Sequence, residues 1–402
     1  MLTRILQAFA TSSFAQALNY ACGFLIAFLF SDVDVANYAK SISIVAIIVV
    51  FMDFGCNQLI ISRANKGGGE ALLKIKTTGI VIVSLAYFLF YDGLFNYYNI
   101  NRSLILPIYL FSLSVSVLNS VSYLYQSMGL LKRFLTLFYG RVALQSFIVL
   151  SFLLITKDYE PIYVWLFVGI LSNISLTLIF LYKGKSVFTF DRRFGGGYVS
   201  TFKVSIRYLL GAFIVVLILR ADAFILGKIS DEWLSTYFKV KNIALLLSII
   251  STSISNVFLS DMAKLINLGW EGYLNKVLVV FVFLIPLLLV MIFSFPYFYD
   301  ELYGMKNNSE FNIFIVLCFA YMSGVITNPL NALLLRAEKS EVLLSLNVIQ
   351  CVIVYSFGLL FSSYAINNLA YFILGAHFFG LLFTYQYTKR NFDKLKMSIA
   401  NN

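Results

Sequence analysis

Charged side chains are few in this sequence, 12% of 402 residues, so those that stand inside long apolar runs are conspicuous. Arg220 and Asp222 share one such run, Lys40 and Lys239 each stand near the start of another, and Asp53 stands toward the end of the run that holds Lys40. An arginine at membrane depth costs roughly 2.5–3.5 kcal/mol on insertion scales, so its retention needs a reason. Arg220 either grips an anionic group through its planar guanidinium or pairs with a buried carboxylate. Asp222 follows two residues later, about 200° around a helix, so it serves a different surface, either as partner to a neighbouring helix or as an ion-coupling carboxylate. Asp53 reads as a helix-end carboxylate answering the basic region around Arg63, or as a second ion-coupling candidate. Lys40 and Lys239 either snorkel to the interface or face an outward-open cavity. Lys241 lies about 200° from Lys239, so at most one of those two faces such a cavity squarely.

Other chemistries lack their raw material. The chain has one histidine, His377, which leaves histidine metal sites and Ser-His-Asp catalysis unsupported. Its bland reading is a satisfied residue of the last span. The four cysteines, Cys22, Cys56, Cys318 and Cys351, all lie in apolar runs and read as small buried hydrophobes. A Gly184-Lys185-Ser186 triplet lacks the earlier glycine of a phosphate loop, because Ile179 stands in that place. ATP hydrolysis, metals and cofactors are therefore not expected, and the chain does not read as an enzyme.

These residues must be positioned by helices in lipid. Hydrophobic residues make up 60% of the chain, and the mean hydropathy is +0.86. Charges cluster between apolar runs of about twenty residues, the length that crosses a hydrocarbon core of roughly 30 Å. Backbone groups in lipid must bond within their own segment, so the runs are helices. They fall near 9–30, 38–60, 77–95, 104–126, 138–156, 161–182, 208–229, 236–259, 277–298, 312–335, 343–363 and 367–388. The expectation is an all-α integral membrane protein of about 12 transmembrane helices in two six-helix bundles. The bundles are 1–182 and 208–388, joined by a loop at 183–207 with a Gly195-Gly196-Gly197 run and followed by a tail at 389–402. The first run lacks a small-residue cleavage pattern and reads as a retained span.

Orientation follows from the basic residues, most of which fall on one side. That side holds Arg4, the Arg63 to Lys76 group, Lys132, Arg133 and Arg141, the 183–207 loop, Lys264, Lys276, Arg336, Lys339 and the tail. By the positive-inside rule this side is cytoplasmic, with both termini, and the formal charge of +11 is mostly a topology signal that needs no nucleic-acid partner. Pro286 and Pro329 interrupt the ninth and tenth spans and are either hinge candidates or merely tolerated kinks.

An offset of 199 aligns Ser31-Asp32 with Ser230-Asp231, Tyr38 with Tyr237, Lys40 with Lys239 and Asn57 with Asn256. An even number of spans per half makes such a duplication parallel, a common transporter plan. At the same residues the chain resembles a known family. Asp34 through Asn37-Tyr38-Ala39-Lys40, Met52-Asp53-Phe54-Gly55 and Ser62-Arg63-Ala64, together with Arg220-Ala221-Asp222 through Gly227 and Tyr237, are similar to stretches of polysaccharide-transport, O-antigen-type flippases. These belong to the superfamily of multidrug, oligosaccharidyl-lipid and polysaccharide exporters.

The resemblance implies two six-helix bundles that rock about a central cavity in the bacterial inner membrane. It implies a substrate that is a polyprenyl-diphosphate-linked oligosaccharide, moved from the cytoplasmic to the outer leaflet, and, as partners, the lipid bilayer and the polymerase and chain-length proteins of the same pathway. Under that implication Arg220, Lys40 and Lys239 would meet the diphosphate, and Tyr123, Tyr125 and Tyr321 would stack on sugar faces. Two alternatives stay open: a cation-coupled small-molecule or drug antiporter, and a membrane polymerase or glycosyltransferase. The short outer loops and the basic candidates weigh against both.

Overall fold

The structure, a computed structural model, describes residues 2–62, 69–98, 100–127, 130–156, 159–183, 198–260, 262–304, 308–337 and 339–400. Among the described residues there are helices and no strands, as the lipid-solvent argument requires. In chain order these are α1 (Leu2–Leu29), α2 (Asp32–Asp53), α3 (Cys56–Ser62), α4 (Gly69–Tyr98), α5 (Ile105–Ser127), α6 (Leu131–Ile155), α7 (Pro161–Lys183) and α8 (Tyr198–Leu219). There follow α9 (Ala221–Ile229), α10 (Asp231–Ala244), α11 (Leu246–Ser260), α12 (Met262–Leu265), α13 (Gly269–Tyr303), α14 (Asn308–Arg336), α15 (Ser340–Phe361) and α16 (Asn367–Ala400). Among the described residues ten helices are long and apolar enough to cross a membrane. The other two expected runs are α1, whose described apolar part is Phe14–Leu29, and the second-half run shared by α10 and α11.

Three of the expected runs are broken helices, and none of the breaks is at a proline. After α2 the chain turns at Phe54, with φ 50°, and Gly55, with φ 71°. A second break leaves Arg220 between α8 and α9, and a third leaves Leu245 between α10 and α11. The prolines behave otherwise: α13 runs continuously through Pro286 and Pro296, and α14 through Pro329. This corrects the expectation that Pro286 and Pro329 interrupt their spans. At Pro329 the neighbouring helices supply extra donors, since Tyr273 donates to the Pro329 carbonyl at 2.8 Å and Ser255 to that of Asn328 at 3.3 Å.

The sequence repeat has a local structural counterpart. Ser31 caps α2 and accepts from the Asp34 amide, and Ser230 caps α10 and accepts from the Trp233 amide, each at 3.3 Å. Asp32 and Asp231 occupy the two first turns, where a carboxylate answers the positive end of the helix dipole.

The chain forms two compact units, one of Phe14–Ala223 and one of Met1–Ser13 with Phe224–Asn402. Within the first, α2 packs on α4, α5 and α8, and α5 on α6 and α7. The bend after α2 is fitted closely to α8. Ser205 donates to the Phe54 carbonyl, Phe54 stacks on Phe202 at 5.6 Å, and a Cβ on Gly55 would collide with the Ser205 backbone. Within the second unit α14 is the central post, packed by α10, α11, α13, α15 and α16. Phe258, Met262, Tyr273, Leu330, Leu333 and Phe392 form a buried core there. By contrast α13 turns large apolar side chains outward, Phe283 and Phe293 among them, as a lipid-facing helix must.

The described part of the expected 183–207 connection includes the start of α8, and α16 carries helix through most of the expected tail to Ala400. The Gly184-Lys185-Ser186 triplet and the glycine run at 195–197 lie outside the described residues, as does Arg63.

Candidate functional site

The break after α2 exposes the end of that helix to partners that a continuous span would not meet. Asp53 is its last residue, and three neighbouring helices converge on the carboxylate. Lys76 of α4 forms an ion pair with it, Asn57 of α3 donates to it, and Ser116 of α5 donates to it at 3.1 Å. Lys76 also donates to the Ser116 carbonyl at 3.1 Å. Neither charged side chain has much access to solvent, Lys76 being 8% exposed and Asp53 14%. The partner of Asp53 among the described residues is thus Lys76. Sequence reading had counted Lys76 as a loop residue of the topology signal. Tyr123 of α5 lies within electrostatic range of Asp53 and also of Arg141 on α6.

Arg220 sits half-buried at the α8–α9 break. Its amide still bonds to Val216 at 3.0 Å, and its guanidinium acts on Tyr38 of α2, whose ring meets Trp165 edge-on at 5.9 Å. Among the described residues no carboxylate pairs with Arg220. Asp222 is buried two residues later, at the start of α9.

Lys40 is buried on α2, so it does not snorkel out in this structure. Lys239 on α10 is half-buried with its ammonium 5.5 Å from the centre of the Tyr303 ring, a cation–π contact, and Lys241 is buried. Lys40 belongs to the Phe14–Ala223 unit and Lys239 to the other.

The three tyrosines separate. Tyr125 is fully buried, donates to the Phe180 carbonyl at 3.0 Å and carries Arg133 over its ring at 5.7 Å. It is a core residue with no face to offer a sugar, which corrects its expected stacking role. Tyr123, half-buried, rests against Phe134 and Phe138 at 5.9 and 5.8 Å. Tyr321 is buried with its ring edge-on to His377 at 6.2 Å.

Sequence reading passed over Lys76 and Arg141 because each follows a basic cluster and was counted with it. The signal was position: Lys76 lies inside α4 and Arg141 well inside α6, beyond the helix starts at Gly69 and Leu131.

The sequence matches no family model and no curated protein. Solved structures do match along nearly the whole chain. The MATE multidrug transporter DinF-BH superposes with a TM-score of 0.70 at 12% identity, covering 97% of this chain and 95% of that one. An outward-facing MATE family transporter of the MOP superfamily gives 0.68 at 13%, covering 98% and 96%. An inward-facing conformation of such a transporter gives 0.64 at 13%, covering 95% and 96%. Likeness at this identity is likeness of fold, and the chain has the fold of the MATE multidrug transporters.

Proposed function

We propose that the protein is an alternating-access transporter of the bacterial inner membrane, with both termini cytoplasmic. Its cargo is a polyprenyl-diphosphate-linked oligosaccharide, passed from the cytoplasmic to the outer leaflet. The observation that carries this reading is the sign of the charge left over at depth. Asp53 is neutralised by Lys76, whereas Arg220 has no carboxylate partner among the described residues. A path lined by surplus guanidinium favours an anionic headgroup, and arginine is suited to phosphate through its fork of donors. The aromatic content of 17% supplies surfaces for sugars while a polyprenyl tail stays in lipid.

A second reading, export of small molecules in exchange for a cation, is favoured by a different observation. Asp53 and Asp222 are carboxylates inside helical segments, and the solved structures with this fold include multidrug transporters. Here the Asp53–Lys76 pair would be the site that exchanges a coupling ion.

A deletion strain separates the two. Accumulation of lipid-linked repeat units on the inner leaflet, with loss of surface polysaccharide, is the expected result. Unchanged repeat-unit levels together with heightened drug sensitivity would favour the antiporter.

A further inference from the structure

Arg141 stands ten residues beyond the start of α6 at Leu131, ~15 Å along the helix, or about half of a hydrocarbon core. Its Nε and Nη1 are sealed from solvent and have no hydrogen-bond partner among the described residues. The groups around it are aromatic: the Phe138 ring, 5.9 Å from the guanidinium carbon, and Tyr123 within electrostatic range. Phe138 and Tyr123 in turn pack on the buried cluster of Leu118, Val121, Tyr125, Phe134 and Leu137, which fixes both rings beside the guanidinium. Asp53, the carboxylate that also acts on Tyr123, is already held by Lys76, Asn57 and Ser116. Asp53, Lys76 and Arg141 together leave one positive charge unanswered.

A buried polar group left without a partner is costly, and a charged one more so. In an apolar setting the same desolvation strengthens any anion that does arrive. We propose that Arg141, walled by Tyr123 and Phe138, is a phosphoryl-binding site of the Phe14–Ala223 unit, taking the diphosphate of a lipid-linked substrate. The choice of diphosphate rests on the flippase reading, and the site itself rests on the two orphaned guanidinium nitrogens, Nε and Nη1. A purely structural arginine would have its donors engaged by the chain.

The test uses the full chain in nanodiscs of uncharged phosphatidylcholine, with farnesyl diphosphate and inorganic diphosphate as probes. Arg141→Met removes the charge, Arg141→Lys keeps it without the fork, and Lys132→Met on the exposed start of α6 is the control. The expected result has three parts. Arg141→Met raises the Tm of the unliganded protein, since an orphaned charge is removed. It weakens farnesyl diphosphate binding at least tenfold, and Lys132→Met changes neither. Equal losses for both probes assign recognition to the phosphates alone, and a loss confined to farnesyl diphosphate assigns it to a lipid headgroup; either supports the site. Farnesyl diphosphate binding by Arg141→Met at wild-type affinity overturns it and leaves the flippase reading standing. Should Arg141→Met not fold, Arg141→Lys decides: binding weakened several-fold supports the site, and unchanged binding overturns it. Wild-type protein that binds neither probe also overturns the site, while the flippase reading is scored separately by inner-leaflet accumulation in the deletion strain.

Discussion

Lys76 on α4 bonds at once to the carboxylate of Asp53 at the end of α2 and to the carbonyl of Ser116 on α5, so three helices meet at one ammonium. The pair spans 23 residues of sequence and the carbonyl contact 40. Breaking such a pair from one side strands a buried charge, whereas removing both charges does not.

Lys76→Met is therefore expected to destabilise the protein by about 3–5 kcal/mol, with Asp53→Asn costing a similar amount. The double variant Asp53→Asn, Lys76→Met should recover most of the loss. Thermal unfolding in a fixed detergent, read as a double-mutant cycle, measures the coupling; additive losses would mean the pair contributes nothing as a pair.

Gly55 holds φ +71° while its α-carbon lies against the Ser205 backbone. Gly55→Ala meets both a backbone conformation that L residues rarely adopt and a collision with atoms that have no room to yield. A cost of more than ~1 kcal/mol is expected. Gly93→Ala, at a helical position where a Cβ meets nothing within 4 Å, should by comparison be neutral or mildly stabilising. Abundance in membranes and Tm of the two variants test the contrast.

Ser31 and Ser230 hold equivalent caps, each accepting from the amide three residues on. Ser31→Ala and Ser230→Ala should each cost about 1 kcal/mol, and each Ser→Asp replacement should restore stability. If one cap proved costly and the other silent, the two helix starts would not be functional equivalents despite the 199-residue offset.

Arg220→Ala, at wild-type abundance in the membrane, is expected to reduce surface polysaccharide at least tenfold, with Arg220→Lys intermediate. Undiminished polysaccharide would remove Arg220 from the substrate path. Joint charge reversal at Lys40 and Lys239 should also reduce export, and an unaltered level would remove the symmetric release site from the flippase reading.

Hydropathy alone determined that the chain is helical and threads the bilayer many times, because lipid offers no hydrogen bonds to an open backbone. The 199-residue offset aligned the two serines that cap α2 and α10, although the apolar runs begin only at 38 and 236, inside helices that start at Asp32 and Asp231; capping is local, a serine, the amide three residues on, and little else. What the sequence left open was every choice of partner. Lys76 and Arg141 read as members of basic clusters, although Arg141 already falls within the 138–156 run, and helix starts at Gly69 and Leu131 set both well inside their helices. Tyr123 and Tyr125 differ by two residues, and packing alone made one a core residue bonded to Phe180 and left the other beside Arg141. The helices run on through Pro286 and Pro329, while Phe54, Arg220 and Leu245 hold breaks that no local signal marked beyond Gly55. The physical reason is range. Burial preference and capping are summed over a few neighbours in sequence, whereas the partner of a buried charge is set by helices that meet from far along the chain, as Ser116 does with Asp53 across 63 residues.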